Sequence, residues 1–296
     1  MGGFVTASNY LALPREPQPW VIEKLVPVGG LVNIFGKPKT GKSFVMLGIC
    51  EAMANGAPDW EGFAIKKHGP VAYLQVDTPR EEWAERLLRM EWITPEAQNN
   101  FHLADMWQIP NYPMNILEPQ TAEWLKSEME RMQPVMVVLD TLRECHGLDE
   151  NDSTAMRNVI STIVGCCRPA AIVLITHARK DSITTSLGDD DLMDQGRGSS
   201  YVSGRMDVII KISAKRMVFK GRATGQQQFT IKQDDRGFVH VERESDDHFK
   251  QAALALNSEL PGLSDNAKAV KLAATCGVSH STALRKLKAL GLTNPG

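Results

Sequence analysis

The sequence predicts an α/β chain: a mostly parallel sheet covered by helices, antiparallel strands added near its end, and a small all-α helix-turn-helix unit after them. Three observations carry this expectation. Strand-length apolar runs alternate with helical stretches through the first two thirds of the chain, the pattern of a parallel sheet with covering helices. From Met206 to Val241 the pattern becomes short and alternating, and beyond Ser245 it is helical.

Leu31-Val32-Asn33-Ile34-Phe35 reads as the first strand, and residues 42–54 as a helix with Val45, Leu47, Ile49 and Met53 among its apolar positions. A second strand covers residues 71–76, followed by a charged helix over 80–90. Residues 135–139 are the most apolar run and read as a strand buried on both faces, as central parallel strands are. A helix over 154–166 and a buried strand over 171–176 follow. Residues 207–212, 215–220, 227–233 and 237–241 read as hairpin strands extending the sheet. The charge run 242–247 precedes a helical stretch over 248–260, which places a domain boundary near Ser245: an α/β domain over 1–245 and a helical domain over 246–296. There are no internal repeats, and residues 181–198, with Asp189-Asp190-Asp191, read as the least structured segment.

The 296 residues are 43% hydrophobic, 23% charged and 6% aromatic. That composition excludes disordered, collagenous and coiled-coil chains. No run approaches the roughly 20 apolar residues of a membrane span, and the first ten residues lack the basic start and apolar run of a signal peptide. Lys plus Arg number 33 against 35 Asp plus Glu, a formal charge of −2. Any contact with nucleic acid is therefore local rather than a bulk property. Five cysteines, an odd number, form no CxxC pair and no zinc spacing, which fits reduced thiols in a cytosol.

Gly36-Lys37-Pro38-Lys39-Thr40-Gly41-Lys42-Ser43 matches GxxxxGK[ST], directly after a strand and opening a helix that continues with Phe44. The glycines let the backbone turn its N–H groups toward phosphate oxygens, and the following helix adds its positive end. Lys42 can reach the β- and γ-phosphates, and the Ser43 hydroxyl can ligate Mg²⁺. A nucleoside triphosphate site is expected, with ATP and Mg²⁺ as its occupants. Such a site also needs a metal carboxylate at the tip of a buried strand, and Asp140, after Val137-Val138-Leu139, stands there. A general base is expected at a neighbouring strand end; Asp77, after Tyr73-Leu74-Gln75-Val76, is the candidate. The alternative for Asp77 is an N-cap of the helix beginning near Pro79.

With these residues in place, the chain resembles the RecA-fold P-loop ATPases, and within them the branch of plasmid RepA-type and DnaB-like hexameric replicative helicases. The resemblance covers roughly residues 20–241 and rests on the phosphate loop, the strand ending in Asp77, Asp140-Thr141, Thr176-His177-Ala178-Arg179-Lys180 and Arg197-Gly198-Ser199-Ser200. It implies an ATP-hydrolysing, DNA-handling motor, a helicase or loader assembled as a hexameric ring, cytoplasmic and encoded by a prokaryote, plasmid or phage. Proteins of that branch usually carry Glu where Asp77 stands, a side chain longer by one C–C bond, about 1.5 Å. Misplacement by about 1 Å can cost on the order of a hundredfold in rate. The resemblance further implies that His177 senses the γ-phosphate, a helix-capping or core-edge histidine being the alternative. Lys220-Gly221-Arg222 is similar to the Lys-x-Arg pair that such helicases insert into a neighbouring subunit's site, the alternative being a basic hairpin turn.

Residues 267–292 resemble a helix-turn-helix, its first helix packing through Val270, Leu272 and Ala273 and its second burying Ala283, Leu284, Leu287 and Leu290 before Gly291. Gly277 permits the turn, Val278 plugs it and Ser279 caps the second helix. From Ser264 onward five basic residues (Lys268, Lys271, Arg285, Lys286, Lys288) face one acid (Asp265), a local charge of +4. Bound to DNA, His280, Ser281, Thr282 and Arg285 would meet base edges, and the lysines, Lys286 and Lys288 among them, would meet phosphates. The alternative is a helical unit that docks a partner protein. Trp83 and Trp92 read as core or interface residues, and Cys166-Cys167 as a buried helix end. The segment 181–198, with Arg179, Lys180 and Arg197, sits where RecA-fold motors place DNA-contacting loops, although its aspartates would repel phosphate. An ATP-switched DNA-binding regulator or a recombinase-like filament protein with slow hydrolysis is the alternative to a motor.

Overall fold

The computed structural model describes residues 4–13, 17–90, 94–178, 200–243, 246–260, 262–276 and 280–292. The described elements begin with helix α1 (Ala7–Ala12), a small hairpin of β1 (Trp20–Ile22) and β2 (Val26–Pro27), strand β3 (Leu31–Gly36) and helix α2 (Lys42–Ala54). A second hairpin, β4 (Asp59–Trp60) and β5 (Phe63–Ala64), precedes β6 (Val71–Gln75), α3 (Arg80–Met90), α4 (Pro95–Asn100) and β7 (Phe101–Ala104). Then come α5 (Pro119–Met132), β8 (Met136–Asp140), α6 (Ser153–Cys167), β9 (Ala171–His177) and α7 (Ser200–Arg205). Strands β10 (Val208–Ser213), β11 (Arg216–Gly221), β12 (Gln227–Gln233) and β13 (Val239–Arg243) lead to α8 (Asp246–Glu259), α9 (Asp265–Cys276) and α10 (His280–Ala289).

Nine strands form one sheet in the order β13-β12-β11-β10-β3-β9-β8-β6-β7. Strands β10, β3, β9, β8, β6 and β7 pair in parallel, and β11 to β13 add antiparallel strands beyond β10. The α/β fold expected from the alternation is thus present, with one refinement. The first of the four late segments, β10, forms the expected hairpin with β11 and also joins the parallel core beside β3. Side chains alternate across a strand, so each central strand serves two cores. Val32, Ile34, Val71, Tyr73, Met136, Val138, Val173 and Ile175 pack with α2 on one face. Leu31, Phe35, Ala72, Leu74, Val137, Leu139, Ile172 and Leu174 pack with α5 and α6 on the other. Helices on both faces explain why these strands are apolar without alternation. Trp83 is buried in the first core, and Cys166 and Cys167 end α6 in the second; Trp92 lies outside the described residues.

A third cluster joins α8, α9 and α10 through Ala253, Ala269, Leu272, Cys276, Ala283 and Leu287. Here the expected packing needs correcting. Val270 is 56% exposed, whereas Lys268 is buried. The Lys268 ammonium donates to Asn257 Oδ1 of α8 at 2.7 Å and to the Leu292 carbonyl at 3.4 Å. Because buried cations need partners, Lys268 ties α9 to α8 and to Leu292 after α10 and cannot meet a phosphate. Residues 277–279, the expected turn, lie outside the described residues.

Candidate nucleotide-binding site

Parallel strands end at one edge of the sheet, and the phosphate loop, Asp77, Asp140 and His177 gather there. Gly36 closes β3 with its backbone so near Ile212 that a Cβ would lie 2.2 Å from that carbonyl oxygen. Lys39 and Gly41 take left-handed φ values of 62° and 90°, curling the loop over the head of α2. A side chain at Gly41 would be strained in that conformation. Thr40 Oγ1 donates to the Lys37 carbonyl at 2.9 Å, bracing the curl. Lys37, Pro38 and Lys39 are exposed, Thr40 and Gly41 partly so, while Lys42 is buried at the first position of α2. No acidic residue occupies that helix's first turn to compete for its positive end. Phe44 contributes its backbone to this turn. Its ring instead lies 5.6 Å from the Arg86 guanidinium and against Gly237 in the β12–β13 turn.

The Lys42 ammonium folds back to donate to the Lys37 carbonyl at 2.9 Å and the Gly36 carbonyl at 3.2 Å. Burial pushes its pKa down, and the carboxylates of Asp140 and Asp77 push it back up. Ser43 Oγ donates to Asp140 Oδ2 at 2.8 Å, and the Tyr73 hydroxyl donates to the same oxygen at 2.7 Å. Asp140 ends β8 almost fully buried, followed by a cis peptide to Thr141. Burial raises its carboxyl above the usual carboxylate range, opposed by the two hydroxyl donors. Burial and the adjacent Asp140 push the Tyr73 phenol well up, so it stays protonated and acts as a donor. A hydroxyl and a carboxylate 2.8 Å apart beside a phosphate loop form the hard-oxygen donor set that suits Mg²⁺.

Asp77 sits exposed just beyond β6, near enough to Lys42 and Asp140 to act on both electrostatically. The turn that carries it is fixed by two bonds: Val76 N–H to the Asp140 carbonyl at 2.9 Å, and Gln75 Nε2 to the Thr78 carbonyl at 2.7 Å. His177 ends β9 in register with Gly36, and Ala178 N–H donates to the Gly36 carbonyl at 3.1 Å. His177 therefore stands beside the first residue of the phosphate loop.

Lys220 and Arg222 are not part of this cluster. Gly221 pairs with Val208, and Val208 with Val32, four residues before Gly36. At about 3.3 Å per residue, the pair lies roughly 13 Å below the phosphate loop, on the opposite edge of the sheet. The Arg222 guanidinium is held by the carbonyls of Gly204 and, at 3.0 Å, Met206. Residues 179–199 lie outside the described residues, and with them Arg179, Lys180, Arg197 and the segment 181–198. In the helical unit, α10 carries His280, Ser281, Thr282, Arg285, Lys286 and Lys288, with His280 and Lys288 exposed. Tyr73 is the residue the linear reading missed. Its partner lies 67 positions away, and nothing local in an apolar strand marks its hydroxyl as reaching the site.

A phosphate loop at the carboxyl edge of a parallel sheet, with a lysine, a hydroxyl and a buried carboxylate at the head of the next helix, defines a P-loop nucleotide-binding protein. The model of the AAA domain family matches residues 3–182, well over half the chain, and the chain belongs to that family of ATPases. Its fold is similar to that of the KaiC-like protein PH0186 from the hyperthermophilic archaeon Pyrococcus horikoshii OT3. The identity is 10% and the TM-score 0.51, covering 75% of this chain and 93% of that one. At such identity the likeness is one of fold, a RecA-like core. Family membership implies ATP binding, with Mg²⁺ as its usual companion. Among the described residues, no helix is long and apolar enough to cross a membrane.

Proposed function

We propose that the protein is an ATP-driven, DNA-handling motor of the RepA-type or DnaB-like kind, a helicase, translocase or helicase loader working as a ring of identical subunits. The observation that carries the nucleotide half is the Ser43–Asp140 pair beside Lys42 at the head of α2. In this reading the loop amides and Lys42 bind the phosphates, Ser43 and Asp140 hold Mg²⁺, and Asp77 orients and deprotonates the attacking water. When bound, Mg²⁺ neutralises charge on the β- and γ-phosphates. His177, beside Gly36, reads the γ-phosphate and passes its presence along β9. The DNA half rests on Lys271 of α9 and on Arg285, Lys286 and Lys288 of α10, against a chain whose net charge is −2. The domain boundary near Ser245 belongs to the same proposal: among the described residues, the helical cluster draws its apolar residues from α8 to α10 and from Leu290 and Leu292 just after them.

The opposite-edge position of Lys220 and Arg222 suits a group that serves another subunit's phosphates, since its own lie a sheet's height away. Arg222→Ala should lose turnover in homogeneous assemblies and recover part of it when mixed with Lys42→Ala subunits, which supply the finger. Absence of recovery would remove the trans role.

A second reading is favoured by one observation, the short Asp77 side chain where the helicase branch carries Glu. In it ATP switches a DNA-binding regulator or filament protein and turns over slowly. Steady-state ATP hydrolysis with and without single-stranded DNA separates the two. Strong stimulation by single strands is the motor result, and a slow rate indifferent to DNA is the regulator result. In either case, ending the chain at residue 245 should weaken duplex binding and flatten its salt dependence; unaltered binding would make the helical unit a protein dock.

A further inference from the structure

Tyr73 lies in the middle of β6, 1% exposed, its ring packed against Trp83 at 5.1 Å and Phe101 at 6.4 Å between centroids. A phenylalanine would fill the same volume, and a hydroxyl buried there costs stability unless it is bonded. The bond it makes runs up the sheet. Tyr73 is in register with Val138, and Val138 and Asp140 share a face of β8. The phenol thus reaches past Val138 to Asp140 Oδ2 at 2.7 Å.

Ser43 donates to that same oxygen, at 2.8 Å, and none of the described residues hydrogen-bonds Oδ1. The two donors differ in kind. Ser43 belongs to the phosphate loop's helix, and its oxygen has a second task in holding the metal. Tyr73 belongs to the core, and its buried hydroxyl donates to Asp140. Two donors on one carboxylate oxygen hold that oxygen in place and leave the other unengaged by the described residues.

We propose that Tyr73 is the positioning residue of the metal carboxylate: its core-anchored hydroxyl holds Asp140 in one orientation while Ser43 exchanges between carboxylate and metal. The inference rests on the reading that Ser43 and Asp140 hold Mg²⁺. Partners that orient metal ligands from behind change metal affinity by about 10- to 100-fold when removed.

Titrating the full chain with fluorescent mant-ADP, once in Mg²⁺ and once in EDTA, isolates the metal's contribution. The wild-type protein should bind more tightly in Mg²⁺. Tyr73→Phe should lose about tenfold of that gain while keeping its affinity in EDTA, and the Mn²⁺ dissociation constant measured by electron paramagnetic resonance with ADP should rise by the same factor. An unchanged Mg²⁺-dependent gain in Tyr73→Phe overturns the proposal. So does an equal loss in EDTA, which would mean the hydroxyl serves the fold alone. Asp140→Asn, run alongside, tests the underlying reading. If the wild type shows no Mg²⁺ dependence for Asp140→Asn to abolish, the metal site itself is refuted and the proposal with it. If Asp140→Asn behaves as expected and only Tyr73→Phe matches the wild type, the positioning role alone is refuted.

Discussion

Lys42→Ala should weaken ATP binding by about a hundredfold or more and abolish turnover. Hydrogen bonds to charged groups contribute about 1.5–3 kcal/mol each, every 1.4 kcal/mol is about tenfold in affinity, and in the proposed reading Lys42 would offer its ammonium to more than one phosphate oxygen. The side chain is poised for this by its present bonds. Its ammonium rests on the Gly36 and Lys37 carbonyls, contacts that an incoming phosphate would replace with stronger ones. Burial already depresses the Lys42 pKa, so an anionic ligand restores what desolvation takes away. The same fact separates binding from folding in the variant. Removing a buried cation together with its desolvation cost leaves the apolar packing of α2 intact, so the melting temperature without ligand should change little. With ATP the two proteins should diverge, because a ligand at a hundred times its Kd adds about 2.7 kcal/mol to stability, and only the wild type should gain it. Equal ATP-induced stabilisation of both would overturn the phosphate-site assignment.

Asp77→Asn should slow hydrolysis by about 10²- to 10⁴-fold, the range a positioned acid–base group contributes, while ATP affinity stays near that of the wild type. The expectation follows from where the residue sits. Asp77 is exposed beyond β6, close to both Lys42 and Asp140, and its turn is tied by the Val76 and Gln75 bonds. An asparagine keeps the shape and the turn but cannot take a proton. Single-turnover rates with saturating ATP test this directly; a wild-type rate would move the base to another residue. Asp77→Glu is informative in the other direction. Restoring the longer side chain of the helicase branch should raise the rate, and no increase would mean the shorter reach suits this site.

The parts of the site that the linear chain reveals are those whose chemistry needs adjacent residues. Gly36 to Ser43 must turn, present amides and open a helix within eight positions, so spacing alone identifies them. Asp140 is readable for a related reason, since a polar residue ending a fully apolar run marks the carboxyl end of a central strand. Edge elements were harder to read. Strand β7 is short and partly exposed and carries no long apolar run, while β4 and β5 are hairpin strands of two residues each.

Side chains whose role is set by distant partners could not be read at all. Lys268 reads as one more surface cation in an amphipathic helix, and only the approach of Asn257 and Leu292 makes its burial affordable. Val270 has the mirror-image fate, an apolar residue left in solvent. Arg222 reads as a finger or as part of a basic hairpin turn wherever it lies. The antiparallel turn from β10 to β11 then decides that it stands at the far edge from its own phosphate loop.

The sequence by itself determined the α/β class, the phosphate loop and the strand-end acids, because period, turn chemistry and spacing act over a few residues. Tertiary structure alone decided the sheet order that sets β9 between the phosphate-loop strand and the Asp140 strand, and the phenol of Tyr73 on Asp140. Those depend on which strands pair and how far a side chain reaches across them, and no local period encodes either.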